Sequence, residues 1–249
     1  MIKLSALPTT PPKKVNKEKI LKETKALKKR IGELHRLLMA EGKHAILIVF
    51  QGMDASGKDG ATRRVFDRCG PTGLSAYSFK KPTDEEFAHD FLWRVHKQAP
   101  AKGTIKIFNR SHYEDVLIQR VHGWIDKKRV DQRIDAINAF ENLLTFDNNT
   151  TVIKFYMHIS KKRQAEKLQE RLDDPSKNWK HNDNDWKEAK FWTKYMNAYQ
   201  DVINRSKIKW NIVPVDSRWY RDYIVAKTVV KHLEKLKMVS PVLPKTKTK

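Results

Sequence analysis

Gly52, Gly57 and Lys58 stand in the spacing G-x-x-x-x-G-K, after the short apolar run Ala45 to Phe50 and before a stretch of helical character. Strand, glycine-bracketed turn and helix start, in that order, make a concave anion site. Glycine lets successive amides turn inward without a Cβ clash, and the helix adds the positive end of its dipole. The backbone from Ala55 through Ser56 and Gly57 to Lys58 would therefore cradle a phosphate chain. The Lys58 ammonium would neutralise the oxygens nearest a reacting bond. Where Ser or Thr usually follows the lysine, this chain has Asp59. A further carboxylate beside phosphate repels unless a cation intervenes. Asp54 and Asp59 are accordingly read as ligands of magnesium, with manganese as the second choice. Asp59 also suits the first turn of a helix, where the dipole favours a negative charge.

The elements around this loop can be read from periodicity. Ile20, Leu27, Ile31, Leu34 and Leu38 recur at helical spacing from about Lys17 to Ala40, and Gly42 ends the pattern. Downstream, short apolar runs alternate with helical stretches: strands near Ser75 to Phe79, Thr104 to Phe108, Thr151 to Ile159 and Asn211 to Val215. Helices are expected from Asp84 to Lys97, His112 to Val121, Val130 to Phe146, Lys161 to Leu172, Lys187 to Ser206 and Tyr220 to Lys237. Strands separated by helices imply an α/β fold, a parallel sheet covered on both faces. The proline-rich first 14 residues and the Pro/Lys/Thr tail from 239 to 249 are expected to be disordered, leaving one domain from 15 to 238.

The 249 residues carry 51 Lys and Arg against 29 Asp and Glu, a formal charge of +22, which points to a polyanionic partner. The single cysteine, Cys69, excludes an internal disulfide. No apolar run is long enough to cross a bilayer and no secretory leader is evident, so a cytoplasmic protein is expected. Arg163 and Arg171 are eight apart, so one helix face would present both guanidiniums to phosphate, or both would make surface salt bridges. His89, Phe91 and Trp93 are assigned to packing.

Four blocks resemble the polyphosphate kinase 2 family: GMDASGKDG around the loop, KKPTDEEFAHDFLWR from Lys80 to Arg94, NRSHYEDV from Asn109 to Val116, and RLDDPSKNWKHNDND from Arg171 to Asp185. The resemblance runs from about Lys13 to Leu236, and Asn109 with Glu114 and Asp115 is similar to the class III branch. It implies a thymidylate-kinase-like P-loop kinase fold with a helical lid at about 163–186. It also implies transfer of the terminal phosphoryl of inorganic polyphosphate to AMP or ADP. On that pattern Asp54, Lys58, Arg110 and Asp115 are catalytic, and Asp115 joins Asp54 and Asp59 at the metal. Arg110 and Arg171 would bind phosphate. Glu114, Asp115, Lys177, Trp179 and Lys180 would meet the nucleotide. A polymeric donor would need a basic track, for which Arg63, Arg64, Lys80 and Lys81 are the candidates, each also readable as ordinary surface charge. The resemblance further implies a homo-oligomer, dimer or tetramer, for which the amphipathic N-terminal helix would serve as an interface. An ATP-dependent nucleotide kinase on the same fold explains neither Asp59 nor the charge. A P-loop protein binding nucleic acid explains the charge, but its basic-aromatic stretches match no such module.

Overall fold

The computed structural model describes residues 1–242. A long helix α1 (Lys17–Glu41) leads into β1 (Ala45–Gln51), which passes through the loop of interest into α2 (Lys58–Val65). Then come β2 (Leu74–Ser78), the short helices α3 (Asp84–Ala88) and α4 (Trp93–His96), and β3 (Ile105–Asn109). Helices α5 (Glu114–Val121) and α6 (Lys127–Asp147) precede β4 (Thr150–His158). Finally α7 (Lys161–Asp173), a 3-10 turn (Pro175–Lys180), α8 (Asp183–Ala189) and α9 (Trp192–Arg205) lead to β5 (Trp210–Pro214) and α10 (Arg218–Lys235).

All pairings in the five-stranded sheet are parallel, in the order β2-β3-β1-β4-β5. Every residue of β1 is buried, which is why it reads as an unbroken apolar run rather than an alternating one. Because β1 is central and the order reverses beside it, the carboxyl ends of β1, β3 and β4 open on one crevice.

Three expectations need correction. The first residues are not loose: Leu4 is buried, the Ile2 amide donates to Asn204 Oδ1 at 2.6 Å, and the Leu4 amide donates to Gln200 Oε1 at 3.0 Å. Prolines remove backbone donors, but side chains of α9 supply the partners here. The helix foreseen from Asp84 to Lys97 is two pieces, because His89 is extended (ψ 175°) between them. The apolar face of α1 is already used within the chain, since Ile31, Leu34 and Leu38 are buried in the core. Of the expected tail, residues 243–249 lie outside the described part.

Candidate active site

Loop geometry follows from its glycines. Gly52 and Gly57 have φ of 153° and 86°, and a Cβ on Gly57 would come within 2.2 Å of Arg221 Nη1. Only glycine fits there. The Lys58 side chain folds back over the loop, its Nζ donating to the carbonyls of Gly52 (2.8 Å) and Met53 (3.1 Å). The Ser56 amide is used internally, donating to Met53 O at 3.2 Å. The amides of Ala55, Gly57 and Lys58 have no backbone partner among the described residues and remain for an anion. Burial pushes the Lys58 ammonium below its usual range, against the pull of Asp54.

Facing the loop, Arg110 adopts a left-handed φ of 60° at the end of β3 and donates to Asp54 Oδ1 at 2.6 Å. Burial alone would raise the Asp54 pKa. The charges of Arg110 and Lys58 outweigh it and hold the carboxylate below its ordinary value.

Beneath this segment lies a fully buried polar cluster. Glu141 receives Lys154 Nζ at 2.6 Å and the Tyr113 hydroxyl at 2.9 Å, with His112 Nε2 at 3.3 Å. Burial opposes ionisation of Glu141, but His112 and Lys154 outweigh it and keep the carboxylate below its usual range. Lys154→Met alone strands this carboxylate and is expected to cost about 3–5 kcal/mol. Adding Glu141→Leu should recover most of the loss. Urea unfolding midpoints of both variants against the parent check this.

Helix α7 arches over the loop from the other side. Gln164 Nε2 donates to Asp54 O at 3.1 Å, and Lys167 Nζ to Ala55 O at 3.3 Å. Burial foremost, then Arg163 and Arg218, pull the Lys167 ammonium down to about 8. Arg171 is held by Asp185 and by the carbonyl of Lys180. From α10, Arg221 is buried and donates to Gly57 O at 3.1 Å, while its neighbour Asp222 grips it from the side.

These elements enclose a cavity of about 550 Å³. Of the residues expected from sequence, it brings together Asp54, Ala55, Gly57, Lys58 and Asp59 on the loop, and Arg63 and Arg64 on α2. Lys80, Arg110, Arg171, Lys177, Trp179 and Lys180 complete that set. Four expected residues are not there. Ser56 is buried and its hydroxyl has no partner. Lys81 is exposed outside the cavity. Glu114 is behind Arg110 and receives Gln51 Nε2 at 2.5 Å, outside the lining of this cavity. Asp115 points away from Asp54 and Asp59: its carboxylate accepts from Arg94 (3.2 Å) and Gln119 (3.1 Å). On a helix, consecutive side chains diverge by about 100°, and here Glu114 and Asp115 meet different partners.

Asp115 instead lines a second cavity of about 530 Å³, with Phe91, Arg94, Gln119 and Arg133. Arg94 ties the two cavities together, because it also donates to the carbonyl of Lys80 at 2.9 Å. His89 and Phe91, assigned above to packing, line this second space, and Arg133 lies 5.0 Å from the Phe91 ring centre. The sequence reading also missed Lys167, Asp185, Arg218 and Arg221, all of which line the first cavity. Lys167 had a signal, being four residues from Arg171 on the same helix face. Arg163, the other half of that expected pair, is engaged by Glu166 and Glu170.

The family model for polyphosphate kinase 2 matches residues 14–241. A protein of Meiothermus ruber named AMP/ADP-polyphosphate phosphotransferase is 43% identical over 228 residues, covering 90% of this chain and 85% of the relative. An ADP-polyphosphate phosphotransferase of Rhodopseudomonas palustris is 38% identical over 227 residues, covering 85% of this chain and 78% of the relative. The crystal structure of polyphosphate kinase 2 from Arthrobacter aurescens superposes with a TM-score of 0.93 at 38% identity, covering 97% of this chain and 88% of that one. A P-loop with its facing arginine, held in a fold shared over nearly the whole length with these relatives, places the chain in the polyphosphate kinase 2 family.

Proposed function

We propose that the protein moves the terminal phosphoryl of inorganic polyphosphate to AMP and ADP, forming ADP and ATP. The observation that carries this reading is the charge of the first cavity, walled by eleven Lys and Arg against four Asp and Glu. Such an excess suits a donor that is phosphate throughout. The second cavity, with aromatic rings and hydrogen-bonding side chains, suits the nucleoside of the acceptor.

Phosphoryl transfer asks the protein to position donor and acceptor in line and to stabilise the charge between them. The loop amides and Lys58 hold the donor end, and Arg110 faces the transferring group from the β3 side. The acceptor is already an ionised phosphate, so no general base is needed. Asp54 and Asp59 reach the same cavity, and the described residues hold no cluster of three His, Cys, Asp or Glu suited to a metal. Two carboxylates fit magnesium, which takes hard oxygen ligands and leaves the remaining positions to water and phosphate. When bound, the ion would offset charge on the phosphate oxygens. Residues 163–186, with Arg171, Lys177, Trp179 and Lys180, form the lid in this proposal, closing over the donor.

The test is incubation with magnesium, polyphosphate and either AMP or ADP, with ATP and ADP production measured. A parallel series offers ATP as the donor to AMP. Product from polyphosphate is expected, and its absence would sink the reading. Phe91→Ala should raise the acceptor KM roughly 10-fold, on the scale of one lost stacking contact, with donor KM unchanged. Because the Lys167 ammonium titrates near 8, its cationic fraction falls as pH rises through that value. Donor kcat/KM should therefore decline between pH 7 and 9, and Lys167→Arg should flatten the profile.

A cytoplasmic setting belongs to the same proposal, since the acceptors are intracellular nucleotides. So does a homo-oligomer, supported by the exposed apolar stripe of Ala139, Leu143 and Phe146 on α6.

A further inference from the structure

We propose that the polymer leaves the cavity over the start of α10 and continues along Lys13, Lys14 and Lys17, a distal polyphosphate-binding surface. The inference rests on polyphosphate being the donor and concerns where the rest of the chain lies. In-line transfer puts the acceptor and the remainder of the donor on opposite sides of the moving phosphoryl. The nucleoside cavity is built by α3 to α6, on the β2 and β3 side of the loop. The polymer must therefore leave toward β4 and β5. On that side the cavity wall is Lys167 from α7 and Arg218 and Arg221 from α10. Lys80, at the β2 end of the same cavity, and Lys81, exposed outside it, lie on the opposite side from these three.

Arg218 shares Glu170 with Arg163 of α7, and the N-terminal segment, tied down next to the start of α10, adds further basic groups. Thr9 is fixed there: its hydroxyl donates to Asp216 Oδ2 at 2.8 Å and its carbonyl accepts the Asp216 amide at 3.0 Å. Residues 10–16 then lead into α1, which runs parallel to α10. The Tyr223 hydroxyl donates to Glu23 at 2.9 Å, and Arg30 Nε donates to Glu234 at 3.0 Å. Extended back along the two helices, this register brings Lys17 level with the start of α10.

Lys13, Lys14 and Lys17 are exposed and make no ion pair among the described residues. Nearby carboxylates are mostly engaged. Asp216 is held by Thr9 and by the Ser160 amide, and Glu23 by Tyr223 and Lys227. Glu18 is the remaining acidic group on that turn. Some lysines, such as Lys28 and Lys177, face a carboxylate at 2.5 and 2.7 Å, whereas exposed Lys19, Lys22 and Lys25 continue the unpaired set along α1. Three unpaired cations in five residues repel one another, and a polyanion relieves that repulsion.

The experiment compares the parent with the triple variant Lys13→Ala, Lys14→Ala, Lys17→Ala, using long-chain polyphosphate and tripolyphosphate, each as donor or competitive inhibitor. For the long chain, kcat/KM should fall about 10-fold and its salt dependence should become shallower, as expected when phosphate contacts are lost. Tripolyphosphate, too short to reach the lysines, should bind equally to both proteins, and the melting temperature should not move. Unchanged long-chain kinetics, or an equal loss with both donors, overturns the proposal. If the parent uses no polyphosphate of any length, the donor assignment itself has failed instead.

Discussion

Lys58→Ala should lower kcat at least ~100-fold, the scale of losing one charge contact made in the transition state. The side chain is buried and arched over the loop by two carbonyls, Gly52 and Met53, so its ammonium is fixed where the donor's reacting end must sit. That preorganisation makes the contact worth more than a mobile surface lysine, because little reorganisation is needed at reaction. Lys58→Met keeps the stem and separates charge from packing. Both variants should show similar losses, measured by steady-state production of ATP from ADP. A parent-like rate in either would remove the ammonium from the chemistry.

Asp54→Asn should cause a comparable loss, also ~100-fold or more. The substitution nearly preserves shape, so the effect isolates the charge. Arg110 loses the carboxylate that orients its guanidinium, and the proposed magnesium site loses one of its two ligands. The Asp54 pKa is held below its ordinary value, so the parent group stays ionised throughout the neutral range. Linkage then fixes the sign of its pH effect. The stability it contributes is fully present above the unfolded pKa and is lost as pH falls through the folded value, in acid only. Between pH 6 and 8 the variant should therefore show a constant deficit in kcat. A deficit that grows or vanishes across that window would argue that another group sets the rate.

Much of the architecture was legible in the chain itself. β1 is buried on both faces and so announces itself as a continuous apolar run. The glycines of the loop must be glycines, and Gly42 ends α1 in a left-handed cap. The site was legible where neighbours in sequence are neighbours in space, from Asp54 to Asp59. It was not legible where direction decides. Glu114 and Asp115 are adjacent, yet one braces Gln51 and the other turns to Arg94. Nor could periodicity show that the chain breaks at His89 and opens a cavity behind Phe91. The docking of the first residues rests on Gln200 and Asn204, which no local pattern near the N-terminus could reveal.

Arg221 was invisible for a simpler reason: nothing in a lone arginine on the last helix hints that it lies against Gly57, 164 positions earlier. That contact sets the last helix directly against the glycine-rich loop. A fragment stopping after β5 would retain the whole glycine-rich motif and every strand, yet lack the floor on which the motif rests. The minimal working enzyme must extend through α10, whose Val225, Val229 and Leu233 are also buried in the core, so truncation there would cost fold and turnover together.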